Sequence, residues 1–534
     1  MLRSDIQSTS LASMFFSVVV LGMGVSFVSL LILSIYRVYF HPLAKYPGPF
    51  WAKLTDWYSV YHAYHGDRHL EFHRCHEKYG PVFRYGPNSL SFNTNTSLKT
   101  IYTHRAPVQK SQFYTVFPPT KDTFNTHSSI SKTQHARKRR VLSHAFSEAA
   151  IKDMEKYILQ NVRVFVRRLG EKEHGIGGGE KGEWSKVQNM ADWSNYLTFD
   201  VMGDLCFGQA FEMLEREENR HVIDLIGNAA HMHLILGTNP IIKTLGLNKL
   251  LFSHIYNLRM QYMSYSRSLA ATRQKLGLET DRKDFFYYLL NAVDPETGKG
   301  FTTPELWGES NLLIIAGSDT TSTALAASFF YLTHNPHVLR KLEDEIRTKF
   351  ADVEDIVTGK ELGECTYLRA VLEESMRLSP PVGGILPREI LTPGLNIDNC
   401  PIPAGTVVGT PHYALHHNPS YFPQPYEFLP ERWIEDEAGV DAVALAKSAY
   451  SPFSIGPRGC IGKSLAYAEL GVALARTVWV YDFRLAGGST VGEGVRGAGW
   501  GRERRGEYQT RDSFTSLKDG PEVVFRVRGG VKGV

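Results

Sequence analysis

Between Asp5 and Arg37 the chain carries no Asp, Glu, Lys or Arg. The most apolar part, Leu11 to Ile35, is 25 residues long. At ~1.5 Å rise per residue, a helix of that length crosses the ~30 Å hydrocarbon layer of a bilayer with some tilt. A cleaved signal peptide would have an apolar region of roughly 7–15 residues ending at a small-residue site. This run is longer and ends in Tyr36-Arg37-Val38-Tyr39. It reads as a retained transmembrane anchor, residues 11–36, behind a short lumenal N-terminus, residues 1–10. Arg37, Lys45 and Lys53 follow the span, and only Arg3 and the terminal amine precede it. That asymmetry places the bulk of the chain on the cytosolic face. Residues 37–50, with Tyr46-Pro47-Gly48-Pro49, form a stiff hinge.

The remainder, residues 51–534, reads as one large domain. Apolar residues at 43% and charged residues at 21% exclude a disordered chain. Fifty-nine basic against 55 acidic residues give +4, without the basic excess of a nucleic-acid binder. Cys75, Cys206, Cys365, Cys400 and Cys460 are few and far apart, with no CxxC. This argues against a disulfide scaffold and a structural zinc site, and fits a reducing cytosol. Helical periodicity covers 146–169, 190–207, 306–334, 336–350 and 365–379. Strand-like runs cluster at 81–93, 384–410 and near the C-terminus. The fold class is therefore mainly α with a smaller β-rich portion. Gly170–Gly182 reads as a surface loop. Gly487–Gly506, with eight glycines and several arginines, reads as a mobile insertion. Neither has the strand–GxGxxG–helix context of a dinucleotide site.

Chemistry concentrates in Phe453-Ser454-Ile455-Gly456-Pro457-Arg458-Gly459-Cys460-Ile461-Gly462. Cys460 offers a soft thiolate, a strong ligand for iron. The glycines let the backbone turn tightly and approach a flat ligand. Backbone N–H groups of the turn can bond the sulfur, and Arg458 can pair with an anionic group. The alternative is a buried free cysteine in a Gly/Pro turn. Five fixed residue types at this spacing occur by chance in roughly 10⁻⁴ of chains of this length, which decides against it.

This loop resembles the haem-thiolate signature of the cytochrome P-450 superfamily. The anchor and Tyr39-Phe40-His41-Pro42-Leu43-Ala44-Lys45-Tyr46-Pro47-Gly48-Pro49 resemble its membrane-bound fungal members. The resemblance implies the cytochrome P-450 fold, with haem b held through its iron by Cys460, the axial metal ligand. Ala316-Gly317-Ser318-Asp319-Thr320-Thr321, inside an almost wholly apolar helix, resembles the family's oxygen-side motif. Ala316 leaves room against the haem, and Asp319 and Thr320 deliver protons as catalytic residues. Alone, the motif would read as close packing with hydroxyl back-bonding to carbonyls.

The resemblance further implies a structural cluster of Glu374, Arg377 and Arg432. Glu374-Ser375-Met376-Arg377 sets opposite charges three apart, and Pro430-Glu431-Arg432-Trp433 follows. His135, Arg139, Arg388, Phe453 and Arg458 are the remaining cofactor-binding residues. His135 stands where the family usually has Trp. Arg137 and Arg140 read as a solvated basic face. Lys138, expected to face outward, and Lys463 are expected to steer an acidic partner. His412 and His416, four apart, have the spacing of a zinc pair but lack an HExxH glutamate and are flanked by prolines, so they read as packing histidines.

The function implied is that of a monooxygenase placing one atom of O₂ into a lipophilic small molecule by hydroxylation or epoxidation. The stretch after Cys460 is too short to read as a flavin domain. Electrons are therefore expected from a separate NADPH-dependent flavoprotein reductase, or from cytochrome b5, at the endoplasmic reticulum membrane. A haem-thiolate isomerase or dehydratase is the first alternative, which Asp319-Thr320 argues against; a haem sensor or non-catalytic membrane binding protein is the second. NADPH consumption with reductase and O₂ separates the three. Segments 112–127, about 225–245, 309–320 and 381–387 and the surroundings of Phe514 are expected over the haem. Phe113, Phe117, Phe124, Ile314, Ile315, Val382, Ile385, Leu386 and Phe514 there imply a lipophilic guest. Similarity to fungal secondary-metabolism members implies a terpenoid, polyketide or alkaloid intermediate.

Overall fold

The helix Thr303–His334 runs through the core and organises the molecule. Thr302 and Glu305 cap its start reciprocally, with a proline in the first turn, and Asn335-Pro336 ends it. By length and composition it could cross a membrane, but 72% of its most apolar stretch is buried, so it is a core helix. It packs along the helix Met190–Phe207. At the contact, a Cβ on Gly317 would lie 2.5 Å from the Met202 sulfur, which sets the close approach of the two helices. The helices Glu148–Leu169, Pro336–Lys349, Thr366–Leu378 and Lys463–Val480 complete this layer. Ser147 caps the first of them. In the helix Thr366–Leu378, Tyr367 and Leu368 donate their N–H groups to Glu345, each at 2.8 Å, so a neighbouring helix supplies the cap.

The computed structural model describes residues 2–118, 124–172, 183–277 and 282–529. The expected loop Gly170–Gly182 lies outside these from residue 173 onward. The five-stranded sheet has the order Val82–Gly86, Ser89–Phe92, Val407–Gly409, Arg388–Ile390, Val108–Lys110. The second pair in this order, Ser89 beside Val407, is parallel. A three-stranded sheet joins Gln188–Asn189, Glu522–Val527 and Tyr481–Leu485. A hairpin of Thr510–Ser513 and Thr515–Lys518 turns at Phe514, whose φ is +78°. The expected mainly helical fold with a smaller β-rich portion is what the structure shows.

The N-terminal helix Leu2–Ile35 continues through one wider turn, Tyr36–Phe40. Its Met14–Phe40 stretch is long and apolar enough to cross a membrane, and none of it is buried. Just beyond, the chain docks on the sheet. Arg84 donates to the carbonyl of Arg37 at 2.8 Å, and its own N–H to that of Pro47 at 2.7 Å.

The reading of Gly487–Gly506 as a mobile insertion is corrected. The segment folds back on itself through Gly494 N–H to Arg504 O and Val495 N–H to Arg502 O. Glu493 pairs with His334 and Arg505, and Arg502 donates to Thr510 O at 2.6 Å. Arg502 and Glu493 tie the segment to Thr510 and His334, and Arg505 holds Glu493 from within the segment.

Candidate active site

One cavity runs from the cysteine loop, past the middle of the helix Thr303–His334, to the helix His221–Thr238. At its base Cys460 donates its N–H to Phe453 O at 2.8 Å, and Gly459 to Gly456 O at 3.0 Å. Gly456 has φ +71°, and a Cβ there would lie 2.0 Å from Tyr102 O, so only glycine closes this turn. Cys460 is exposed, but onto the interior of the cavity. Burial pushes its thiol up, opposed by the Gly462 N–H and by Arg139 and Lys463.

Lys110, His135, Arg139 and Arg458 share the wall beside this loop. Arg388 stands behind them, donating to the Tyr114 hydroxyl at 3.2 Å. Arg139 donates to Gly459 O at 2.8 Å and Arg458 to Ser129 O at 2.6 Å. Lys110 donates to His127 O. Burial, then Arg388 and Arg458, hold the Lys110 ammonium well below its ordinary value. Burial and Arg388 push Arg458 down to about 10. The same surroundings push His135 to about 3, with burial the largest cause and Arg458 next, so its ring is neutral. Among the described residues none of these four cations has a carboxylate partner.

Lys110 was not legible as a site residue. Its strand Val108–Lys110 pairs with Arg388–Ile390 so that Lys110 faces Arg388 directly. Like charges opposed across a strand pair are destabilising unless an anion joins them. A haem offers two carboxylates to this wall and an iron to the Cys460 sulfur, so the residues present fit the group that the resemblance implies.

On the oxygen side, Ala316 and Thr320 face the cavity. The Thr320 hydroxyl donates to Ala316 O at 2.8 Å. Asp319 is turned away by the ~100° step between consecutive helix residues. It is 5% exposed, off the cavity lining, and its carboxylate accepts the hydroxyl of Thr515. Thr515 itself lines the cavity. Lys518, from the same hairpin, donates to Asn195 Oδ1 at 2.9 Å and Ser322 Oγ at 2.8 Å. Burial pushes its ammonium down to about 8, with Asp319 opposing. The sequence pattern placed the acid beside the threonine but not the hairpin that holds it.

Phe117, Ile315, Val382, Leu386 and Phe514 line the cavity. Phe124 and Ile385, expected beside them, do not. Ile385 is 2% exposed and packs with Phe72, Cys75, Phe83 and Tyr85. Successive residues of an extended segment point to opposite sides, so Leu386 takes the cavity and Ile385 the core. Phe124 is half-buried away from the lining. Phe113 and Ile314 belong to the hydrophobic core.

The Glu374 carboxylate is fully buried and accepts from Arg377 Nε and Nη2, Arg432 Nε and Trp433 Nε1, all at 2.9 Å. Burial raises its pKa, but Arg377 and then Arg432 outweigh that and hold it below the usual carboxylate range. Trp433 is a member that the charge pattern could not reveal. His412 reaches Val382 O at 2.9 Å, and His416 Nε2 accepts the Ser451 N–H at 3.0 Å; both rings are buried.

Lys138 corrects an expectation. It is fully buried, with Glu305 at 2.9 Å and Glu309 at 3.6 Å. Three residues after His135, it shares that residue's inward face. Arg137 and Arg140, read as solvated, pair instead with Glu305 and with Asp294 and Glu296. Lys463 is exposed.

A family model for cytochrome P-450 matches residues 47–493. Cytochrome P-450 monooxygenase apf7 of Gibberella fujikuroi is 42% identical over 93% of this chain and 96% of its own length. Cytochrome P-450 monooxygenase AKT7 of Alternaria alternata is 40% identical over 92% of this chain and 94% of its own. Cytochrome P-450 monooxygenase atnE of Emericella nidulans is 40% identical over 97% and 98%. A cysteine loop at the base of an apolar cavity, cations beside it that have no carboxylate partner among the described residues, and this likeness along almost the whole chain lead to one conclusion: the chain belongs to the cytochrome P-450 family and is a haem-thiolate monooxygenase that takes electrons from a redox partner and acts on a lipophilic substrate.

Proposed function

We propose that this monooxygenase is anchored in the endoplasmic reticulum membrane by its N-terminal helix, with residues 51–534 on the cytosolic face. It oxidises an intermediate of fungal secondary metabolism, a terpenoid, polyketide or alkaloid, by hydroxylation or epoxidation. The observation that carries this reading is the single cavity in which Cys460, Thr320 and the apolar side chains Phe117, Ile315, Val382, Leu386 and Phe514 meet. NADPH, through a separate flavoprotein reductase with cytochrome b5 as a second donor, supplies two electrons. For each O₂, one oxygen atom enters the substrate and the other leaves as water.

The haem, when bound, supplies the oxygen-activating redox chemistry. Cys460 gives the thiolate, and the Gly462 N–H tempers its charge. Lys110, Arg139, Arg388 and Arg458 would balance the haem's two propionates. Thr320 presents its hydroxyl oxygen to the cavity, and Asp319 and Thr515 pass protons towards it from the hairpin side. The apolar walls exclude water from the reacting face. Reconstitution with reductase, NADPH and O₂ tests the reading, paired with metabolite profiling of a gene-deletion strain. The deletion strain accumulates a lipophilic compound that the reconstituted protein converts to a product heavier by one oxygen. Absence of that conversion overturns it.

A further inference from the structure

Beside the contact of Lys110 with His127 O, the Phe117 ring packs against two imidazoles. His127 is 5.0 Å away edge-on, and His233 is stacked at 4.8 Å. His233 belongs to the helix His221–Thr238 and lines the cavity. Its Nε2 accepts the Arg259 Nε–H at 3.2 Å, from the helix Ser253–Leu276. A neutral imidazole with one nitrogen accepting carries its proton on the other, so Nδ1 is the donor. Burial, then Arg259 and Lys243, hold the ring well below its ordinary pKa, which keeps it neutral.

Arg259 is 7% exposed and has no carboxylate partner among the described residues. Lys243 adds a second cation nearby, with its ammonium on Thr115 O at 3.3 Å. A buried guanidinium without an anion is costly, and a protein keeps one where something completes it. The cations of the cysteine-loop wall lie on other elements and answer to the haem. Arg259 belongs to the helix Ser253–Leu276, which packs on the helix His221–Thr238. A neutral carbonyl would satisfy the imidazole N–H but leave the guanidinium uncompensated, whereas a carboxylate does both.

We propose that His233, backed by Arg259, is an anion-recognition subsite, and that the substrate is a lipophilic carboxylic acid. The carboxylate accepts the His233 N–H, and the apolar body lies along Phe117 and Phe514, whose rings are 5.0 Å apart, towards Cys460. This rests on the monooxygenase reading and names the substrate class within it.

The test uses the solubilised full chain with its haem in the ferric state, titrated with dodecanoic acid and with methyl dodecanoate. The Soret shift that accompanies entry of a guest is the readout. The acid half-saturates at a concentration roughly 10–100-fold lower than the ester, as a charge-assisted hydrogen bond to a buried group implies. Arg259→Gln keeps an N–H for His233 but removes the charge, and erases that preference by weakening the acid alone. Arg259→Lys retains the preference. His233→Phe, which keeps a ring against Phe117, loses it. Equal binding of acid and ester, no shift with the acid, or a preference that survives Arg259→Gln and His233→Phe overturns the proposal. The reduced CO spectrum of the same samples judges the underlying reading separately. A normal band without the preference removes only the subsite, and a missing thiolate band in the wild type removes the reading beneath it.

Discussion

The Thr515 hydroxyl donates to the Asp319 carboxylate, joining the turn of the C-terminal hairpin to the middle of the core helix across 196 residues of sequence. The same turn places Phe514 on the cavity wall. Asp319 is therefore oriented by the element that also lines the cavity. Thr515→Val removes the donor and keeps the shape. It is expected to slow product formation roughly 3–10-fold, the worth of one hydrogen bond, with an unchanged CO spectrum. An increased solvent deuterium isotope effect on turnover identifies the slowed event as proton transfer. An unchanged rate and isotope effect would show that Asp319 does not need this partner.

Thr320→Ala should leave guest binding intact while diverting reducing equivalents to peroxide. Cys460 and the apolar wall are untouched, but the hydroxyl presented beside Ala316 is gone. The ratio of product to NADPH consumed is expected to fall roughly tenfold or more. A ratio equal to that of the wild type excludes this role.

Cys460→Ser is expected to abolish the red-shifted Soret band of the reduced CO complex, because a hydroxyl is not a soft ligand. The loop should still close, since its turn rests on the Cys460 N–H and the glycines rather than on the sulfur. Retention of the band at wild-type intensity would refute ligation by this residue.

Deleting residues 1–36 should free the protein from carbonate-resistant membrane attachment without loss of the CO band. None of the described side chains of the helix before Arg37 is buried, and the docking contacts with the domain begin at Arg37 and Arg84. If the shortened protein stays in the carbonate pellet, the anchor lies elsewhere.

Glu309 is fully buried, and burial raises its carboxyl pKa to about 7, with Lys138 opposing. A carboxyl whose pKa is higher folded than unfolded binds more protons in the native state between the two values. Stability then falls as pH rises from about 4.5 to about 7 and is level above that. Glu309→Gln keeps an acceptor for the Thr126 N–H and removes the titration. Thermal melts across this range should show the wild type losing stability relative to Glu309→Gln as pH rises. Parallel pH profiles would mean that Glu309 does not titrate there.

What the linear chain determines by itself is whatever lies within one turn, one helix or one run. The candidate membrane span is a count of apolar residues, the cysteine loop is ten consecutive positions, and Glu374 and Arg377 are one helical turn apart. The principal helices were readable from periodicity because an amphipathic or wholly buried face repeats locally. Where a side chain points along one helix was also within reach, and Lys138, three positions after His135, should have been placed on the inward face.

Only the tertiary structure decided the pairs that arise from register and packing. Lys110 meets Arg388 because two short strands align, Asp319 meets Thr515 because a hairpin folds over the core helix, and Arg259 meets His233 because two helices pack side by side. Ile385 and Leu386 are alike in composition, and one faces the core and the other the cavity. Such pairs depend on sheet register and helix packing, which the whole core sets at once, and no short stretch of sequence carries that information.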